Sequence, residues 1–143
     1  HQLRHKIINE LSSKYNIDVY GNGYRKFDKM VDVLKEYRYC IVVENAKDGY
    51  WITEKLTTPI LCGCLPIYWG SPNVDEFFRG GVCSFKRIEA LERLLQFPFL
   101  TEESYNNDVE SGTVHKNFNQ AIKYRILEDY IYENILLPWM NRE

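Results

Sequence analysis

The chain has 143 residues, enough to bury one hydrophobic core and too few for two full domains. Its 18 Lys and Arg stand against 20 Asp and Glu, a net charge of −2 that lacks the basic excess of a nucleic-acid binder. Hydrophobic residues at 45% and aromatics at 15% exclude a disordered chain.

The sequence opens at His1 without a methionine, which reads as a fragment or a processed product of a longer protein. Leu3, Ile7, Ile8 and Leu11 recur at helical spacing, and Tyr15 continues that face, so a first helix is expected there. Ile17-Asp18-Val19-Tyr20 then alternates as a short strand would and runs into the turn signal Gly21-Asn22-Gly23. Phe27, Met30, Val31 and Leu34 trace a second helical face. Tyr39–Val43 is a continuous apolar run rich in β-branched residues, the pattern of a strand covered on both faces. Like every apolar run in the chain, it is too short to span a bilayer.

A further helix is expected from about Thr53. Pro59 predicts either a kink there or a shorter helix, because it lacks an N–H and clashes with the preceding turn. Leu65–Trp69 reads as a strand ending at Gly70-Ser71-Pro72-Asn73, and Val82-Cys83-Ser84-Phe85 as one more short strand. Ile88, Leu91, Leu94 and Leu95 form an amphipathic face that stops before Pro98. Residues 101–113 are polar, a loop or a short helix between loops. Phe118, Ala121, Ile122, Ile126, Tyr130 and Ile131 predict a long last helix up to Pro138. Alternating helix and strand argue for an α/β fold, a Rossmann-like open parallel sheet with right-handed crossovers. Ligands of such sheets sit beyond the carboxyl ends of the strands.

Cys40, Cys62, Cys64 and Cys83 lie in or beside apolar stretches, so buried thiols in a reducing compartment are expected. Cys62-Gly63-Cys64 has no second pair or nearby histidine to complete a zinc site, and His1, His5 and His115 lack metal-ligand spacing. No G-x-S-x-G and no Cys–His pairing marks a nucleophile.

Residues 42–56, V-V-E-N-A-K-D-G-Y-W-I-T-E-K-L, carry the most chemistry. The strand delivers Glu44 and Asn45 to the carboxyl edge, and Thr53 is a natural N-cap. Backbone N–H groups at that helix start are expected to lack partners and to favour an anion. Lys55 puts a cation where the helix dipole disfavours one, which points to an anion nearby. Glu54 suits sugar hydroxyls, and Trp51 suits stacking on a base or sugar ring. Each has a plainer reading: Glu54 as dipole complement, Lys55 as a solvated charge, Trp51 as core. Gly21-Asn22-Gly23 and Gly70-Ser71-Pro72 are both expected at the same edge.

Glu44-Asn45, Ile52-Thr53-Glu54-Lys55-Leu56 and Leu65-Pro66-Ile67-Tyr68-Trp69-Gly70-Ser71-Pro72 together resemble the donor-binding domain of the α-1,3/4-fucosyltransferases, glycosyltransferase family 10. That family carries F-E-N-S, Y-x-T-E-K and V/I-P-I/V-Y/V-x-G in this order, and its bacterial branch is the most similar. The resemblance is strong over residues 37–78, weaker over 3–24 and poor after Phe85, leaving residues 86–143 without an assigned role.

The resemblance implies that residues 1–143 form a single nucleotide-sugar-binding domain, one half of a two-domain GT-B enzyme. It implies inverting transfer of fucose from GDP-fucose to the N-acetylglucosamine or glucose of a glycan acceptor. Arg4 and Lys55 would hold the diphosphate, Asn45 would reach phosphate and sugar, and Glu54 would contact donor hydroxyls. With Trp51 and Thr53 these make up the expected donor site. The general base would lie in the N-terminal acceptor domain, so the chain would hold no catalytic residue, need no metal or cofactor, and be inactive alone. A bacterial-type protein would be cytoplasmic or membrane-peripheral, a eukaryotic one resident in the Golgi lumen. Three departures stand out: Trp51 replaces the family tyrosine, with Tyr50 beside it, Val43 replaces phenylalanine, and Ala46 replaces serine. The first leaves two alternatives open, the same fold using another nucleotide sugar, or a non-catalytic module that binds a glycan or protein.

Overall fold

The structure, a computed structural model, describes residues 2–124 and 136–140. The two clearest apolar runs form the strands expected of them, β1 at Tyr39–Val43 and β2 at Leu65–Trp69. They pair in parallel from Tyr39↔Leu65 to Val43↔Trp69. A two-residue strand, β3 at Cys83–Ser84, pairs in parallel with Ile67 and Tyr68 to complete the order β1-β2-β3. This is the open parallel sheet of an α/β fold, consistent with a Rossmann-like half.

Side-chain alternation along the strands separates two apolar layers. Ile7 and Leu11 of helix α1 (Gln2–Leu11) pack on Val43 and Ile67 with Phe85 and with Ile88 and Leu91 of a later helix. On the opposite face, Val42 and Tyr68 meet Leu56 and Ile60 of the β1–β2 crossover helix, together with Val74, Phe78 and Ala121. Fully burying each such side chain contributes about 1.5–3 kcal/mol, so both faces are firmly covered.

Between α1 and β1 lies only a five-residue helix, α2 (Met30–Leu34), and of its expected face Leu34 alone is buried. Phe27, Met30 and Val31 are exposed. The expected strand at residues 17–20 does not form, and Tyr20 makes a single bridge with Arg25. Side chains tie this segment down instead. The Tyr37 hydroxyl donates to Asp18 at 2.6 Å and shares a 2.9 Å hydrogen bond with the Tyr20 hydroxyl, while Arg25 pairs with Asp18. Tyr37 stands just ahead of β1, so Gly21-Asn22-Gly23 belongs to the amino end of the sheet, not to the carboxyl edge expected for it.

The crossover helix α3 (Glu54–Leu61) runs through Pro59 and ends two residues beyond it. After β2 come α4 (Val74–Phe77) and, beyond β3, α5 (Ile88–Gln96), which stops before Pro98 as its pattern requires. The polar stretch at 101–113 is mostly a helix, α6 (Glu102–Glu110), capped where the Thr101 hydroxyl accepts from the Ser104 N–H at 3.0 Å. α7 (Thr113–Ile122), the last long helix among the described residues, starts earlier than its apolar face suggested, after Gly112 at φ 78°. Ile126, Tyr130 and Ile131 lie outside the described residues. A final turn, α8, covers Leu137–Met140.

All four cysteines are free thiols, but of the four expected to be buried only Cys64 is; Cys40 and Cys62 are half-buried and Cys83 is exposed. Burial pushes the Cys40 thiol up to about 11 and that of Cys64 to about 12. The Cys64 thiol points at the carbonyls of Leu34 and Tyr37, 3.1 Å from each.

Candidate functional site

The alternation that sorts the core continues past the end of β1 and builds the site. Glu44 follows Val42 onto the α3 face, and Asn45 follows Val43 onto the α1 face. The Glu44 N–H donates to the Trp69 carbonyl at 2.9 Å, which extends the ladder one residue and holds the dipeptide at the carboxyl edge.

On the α1 face the Arg4 guanidinium donates from Nε to the Val43 carbonyl at 3.1 Å and from Nη2 to Oδ1 of Asn45. The first turn of α1 thus lays a cation against the strand end. On the α3 face Glu44 is only 2% exposed. Its carboxylate accepts from the Thr53 N–H at 3.0 Å and from the Thr53 hydroxyl at 2.7 Å. The Thr53 Oγ1 in turn accepts from the Lys55 N–H at 3.3 Å and the Lys55 ammonium at 3.4 Å. Lys55 Nζ also donates to Glu54 at 2.9 Å. That bond holds the Glu54 carboxyl below its ordinary range. Two cations therefore flank one strand end, Arg4 through Asn45 and Lys55 through Thr53 and Glu44.

The neighbouring loop is pinned to the end of β2. The Ser71 hydroxyl donates to the Gly49 carbonyl, and its oxygen accepts from the Asn73 N–H at 3.2 Å. The Ser71 N–H donates to the Tyr68 hydroxyl at 2.9 Å. Burial pushes the Tyr68 phenol up to about 12, so it stays protonated at neutral pH and its O–H faces the Trp51 carbonyl at 3.5 Å. Gly70 is required here, since a Cβ would meet the Tyr68 hydroxyl and come within 2.6 Å of Glu44 Cγ. The loop presents Tyr50 and Trp51 at 65% and 52% exposure, with Tyr50 edge-on to Phe77 at 6.1 Å.

Every residue of the expected set, Arg4, Asn45, Trp51, Thr53, Glu54 and Lys55, belongs to this edge or to the loop beside it. Trp51 is not core, which removes its plainer reading. One expectation is overturned: the helix start is not a row of free N–H groups. The Lys55 N–H goes to the Thr53 hydroxyl oxygen, the Leu56 N–H to the Thr53 carbonyl at 3.0 Å, and the Thr53 N–H to Glu44. The positive groups at this edge are side chains, Arg4 and Lys55. Residue reasoning missed the role of Glu44; the available signal was an acid in the same alternation as Val42, on the buried face. The edge is open to solvent, and two cavities of 330 and 240 Å³ lie elsewhere, one beside β3 and one between Phe77 and α7. Among the described residues no three His, Cys, Asp or Glu side chains converge as metal ligands would.

Residues 1–107 match the family model for the glycosyltransferase family 10 (fucosyltransferase) C-terminal domain. The chain belongs to glycosyltransferase family 10. The match runs past Phe85 into α6, further than the resemblance read from the motifs. An α-(1,3)-fucosyltransferase B of Drosophila melanogaster is 31% identical over 90 residues, 52% of this chain and 20% of that protein. A fucosyltransferase-like protein of Arabidopsis thaliana is 32% identical over 85 residues, 57% of this chain and 16% of that protein. A GDP-fucose protein O-fucosyltransferase 3 of Gallus gallus is 25% identical over 126 residues, 75% of this chain and 26% of that protein. The family-10 chain thus spans 16% to 26% of the length of these relatives. No solved structure matches it. Among the described residues no helix is long and apolar enough to cross a membrane.

Proposed function

We propose that this chain is the donor-binding half of a family-10 fucosyltransferase and that it holds GDP-fucose at the carboxyl end of β1. The observation that carries this reading is the placement of Arg4 and Lys55 on either side of Glu44-Asn45 in a chain of this family. As the bond between fucose C1 and the diphosphate oxygen breaks, negative charge grows on the leaving group. Two cations fixed at the strand end stabilise that charge, and removing one electrostatic contact of this kind typically costs about 10²–10³ in kcat. When phosphate arrives, Lys55 turns from Glu54 towards it, and the Glu54 carboxylate is freed to accept hydrogen bonds from donor hydroxyls. Asn45 reaches phosphate and sugar from its place beside Arg4, and Trp51 offers an exposed ring for stacking.

The reaction inverts the anomeric centre, with a general base from an N-terminal acceptor domain and no metal or other cofactor. The chain alone binds donor but does not turn it over. The acceptor is the N-acetylglucosamine or glucose of a glycan, joined through an α-1,3 linkage, as the name of the Drosophila relative suggests. A second reading, a protein acceptor, is favoured by the match over 126 residues to the protein O-fucosyltransferase of Gallus gallus. Calorimetric titration with GDP, GDP-fucose, GDP-mannose and a UDP-sugar tests the donor. GDP-fucose should bind most tightly, and preference for a UDP-sugar would overturn the assignment.

A further inference from the structure

Glu44 is a buried acid that the proposed chemistry leaves without a task. Its surroundings specify it closely. Both oxygens are occupied by one residue, since Thr53 gives its N–H to Oε1 and its hydroxyl proton to Oε2. The absence of any side chain at Gly70 lets the Glu44 Cγ lie against the end of β2. An ionised carboxylate held out of water is costly unless it is hydrogen-bonded, and here the start of α3 supplies both donors and a favourable dipole.

The consequence lies in the direction of the hydroxyl. A threonine hydroxyl has one proton and two lone pairs. Because the proton is committed to Glu44, the Thr53 oxygen meets Lys55 only as an acceptor, and it takes both the Lys55 N–H and the Lys55 ammonium. We propose that Glu44 is a positioning residue for the donor site: it fixes the Thr53 hydroxyl as an acceptor and so, beside the Glu54 carboxylate that also takes a bond from Lys55, holds the Lys55 ammonium at the carboxyl edge of β1. The step from an ordered Lys55 to donor binding rests on the function proposed above; the ordering itself does not.

Glu44→Gln separates this role from simple packing, because it keeps the shape and changes the donors. If the amide NH2 faces the Thr53 hydroxyl, that hydroxyl accepts from it and its own proton swings towards Lys55. If it faces the Thr53 N–H instead, two donors oppose each other. The first arrangement keeps the Thr53 N–H bonded to the amide oxygen and is therefore favoured, and it breaks the sequence of bonds from Glu44 through Thr53 to Lys55. The second would keep the hydroxyl bond only by opposing two donors.

Two measurements on the 143-residue chain decide the matter, one without ligand and one with GDP. In the ligand-free chain, 13C relaxation of lysine side chains reports ps–ns mobility. Glu44→Gln and Thr53→Val should both loosen Lys55 while leaving the exposed Lys47 unchanged, and Thr53→Ser should preserve the order. Unchanged Lys55 mobility in folded Glu44→Gln overturns the proposal, whatever GDP does. With GDP, Glu44→Gln should weaken binding about tenfold in the native sequence and less than about twofold when Lys55→Ala is already present. Equal losses on both backgrounds show that Glu44 acts apart from Lys55 and overturn the proposal. If Glu44→Gln does not fold, Thr53→Val against Thr53→Ser carries the same comparison. Failure of the native chain to bind GDP refutes the donor-site reading alone, and the ligand-free measurement still decides the role of Glu44.

Discussion

Replacing Gly70 by alanine probes the tightest point of the proposed site. The new Cβ would stand 2.6 Å from Glu44 Cγ and closer still to the Tyr68 hydroxyl. Neither neighbour can easily yield. Glu44 is held at both oxygens by Thr53, and the Tyr68 hydroxyl is held by the Ser71 N–H at 2.9 Å. Overpacking a close site costs about 1–3 kcal/mol. Losing the Tyr68–Ser71 hydrogen bond adds about 1 kcal/mol. The expected loss of stability is therefore about 2–4 kcal/mol, or roughly 5–15 °C in Tm for a chain of this size. Gly49→Ala is the control, because its Cβ would meet only Asn73 Nδ2 at 3.6 Å, an ordinary contact. Urea unfolding of both variants, with Tm from calorimetry, gives the comparison. A Gly70→Ala loss under about 0.5 kcal/mol, or one equal to that of Gly49→Ala, would refute the reasoning, since surface changes commonly fall within that range.

Glu54→Gln should leave GDP affinity unchanged or slightly raised, because Lys55 loses a competing carboxylate, while the preference for GDP-fucose over GDP falls about tenfold. An unchanged ratio in calorimetric titration would remove Glu54 from the sugar contacts. Burial raises the thiols of Cys40 and Cys64 to about 11 and 12, above the ordinary thiol value of about 8.5, so the folded chain retains those protons where the unfolded chain loses them. Their contribution to stability is thus complete below about pH 8.5 and declines as pH rises from there towards 11 and 12. Denaturation at pH 8 and pH 10.5 checks this, and Cys64→Ala should flatten the decline; a slope indifferent to that substitution would contradict it.

The elements most legible from sequence were those whose signal is local and apolar. β1 and β2 are continuous runs closed by polar or glycine residues, and their bounds follow directly from the residues. Residues 17–20 carry an equally local alternation, yet pairing is not local, and Asp18 and Tyr20 found Tyr37 rather than a neighbouring strand. α6 was hard to see for the opposite reason. It buries no residue, so apolar periodicity is silent, and its visible signs were the Thr101 cap and the acids in its first turn. At the site, the α3 start was readable from Thr53-Glu54-Lys55. The approach of Arg4 to Asn45, 41 residues away, is a tertiary fact that only the family resemblance anticipated. Glu44 escaped because acids at strand ends are usually solvated, whereas here Gly70 admits it to the interior.

The most direct measurement is calorimetric titration of GDP into the native chain, Lys55→Ala and Arg4→Ala, each shown to be folded by circular dichroism. Charge-assisted hydrogen bonds contribute about 1.5–3 kcal/mol, so each substitution should weaken binding about 10- to 100-fold. Folded native protein that fails to bind GDP at millimolar concentration, or affinity that survives loss of either cation, would contradict a donor site at the carboxyl end of β1.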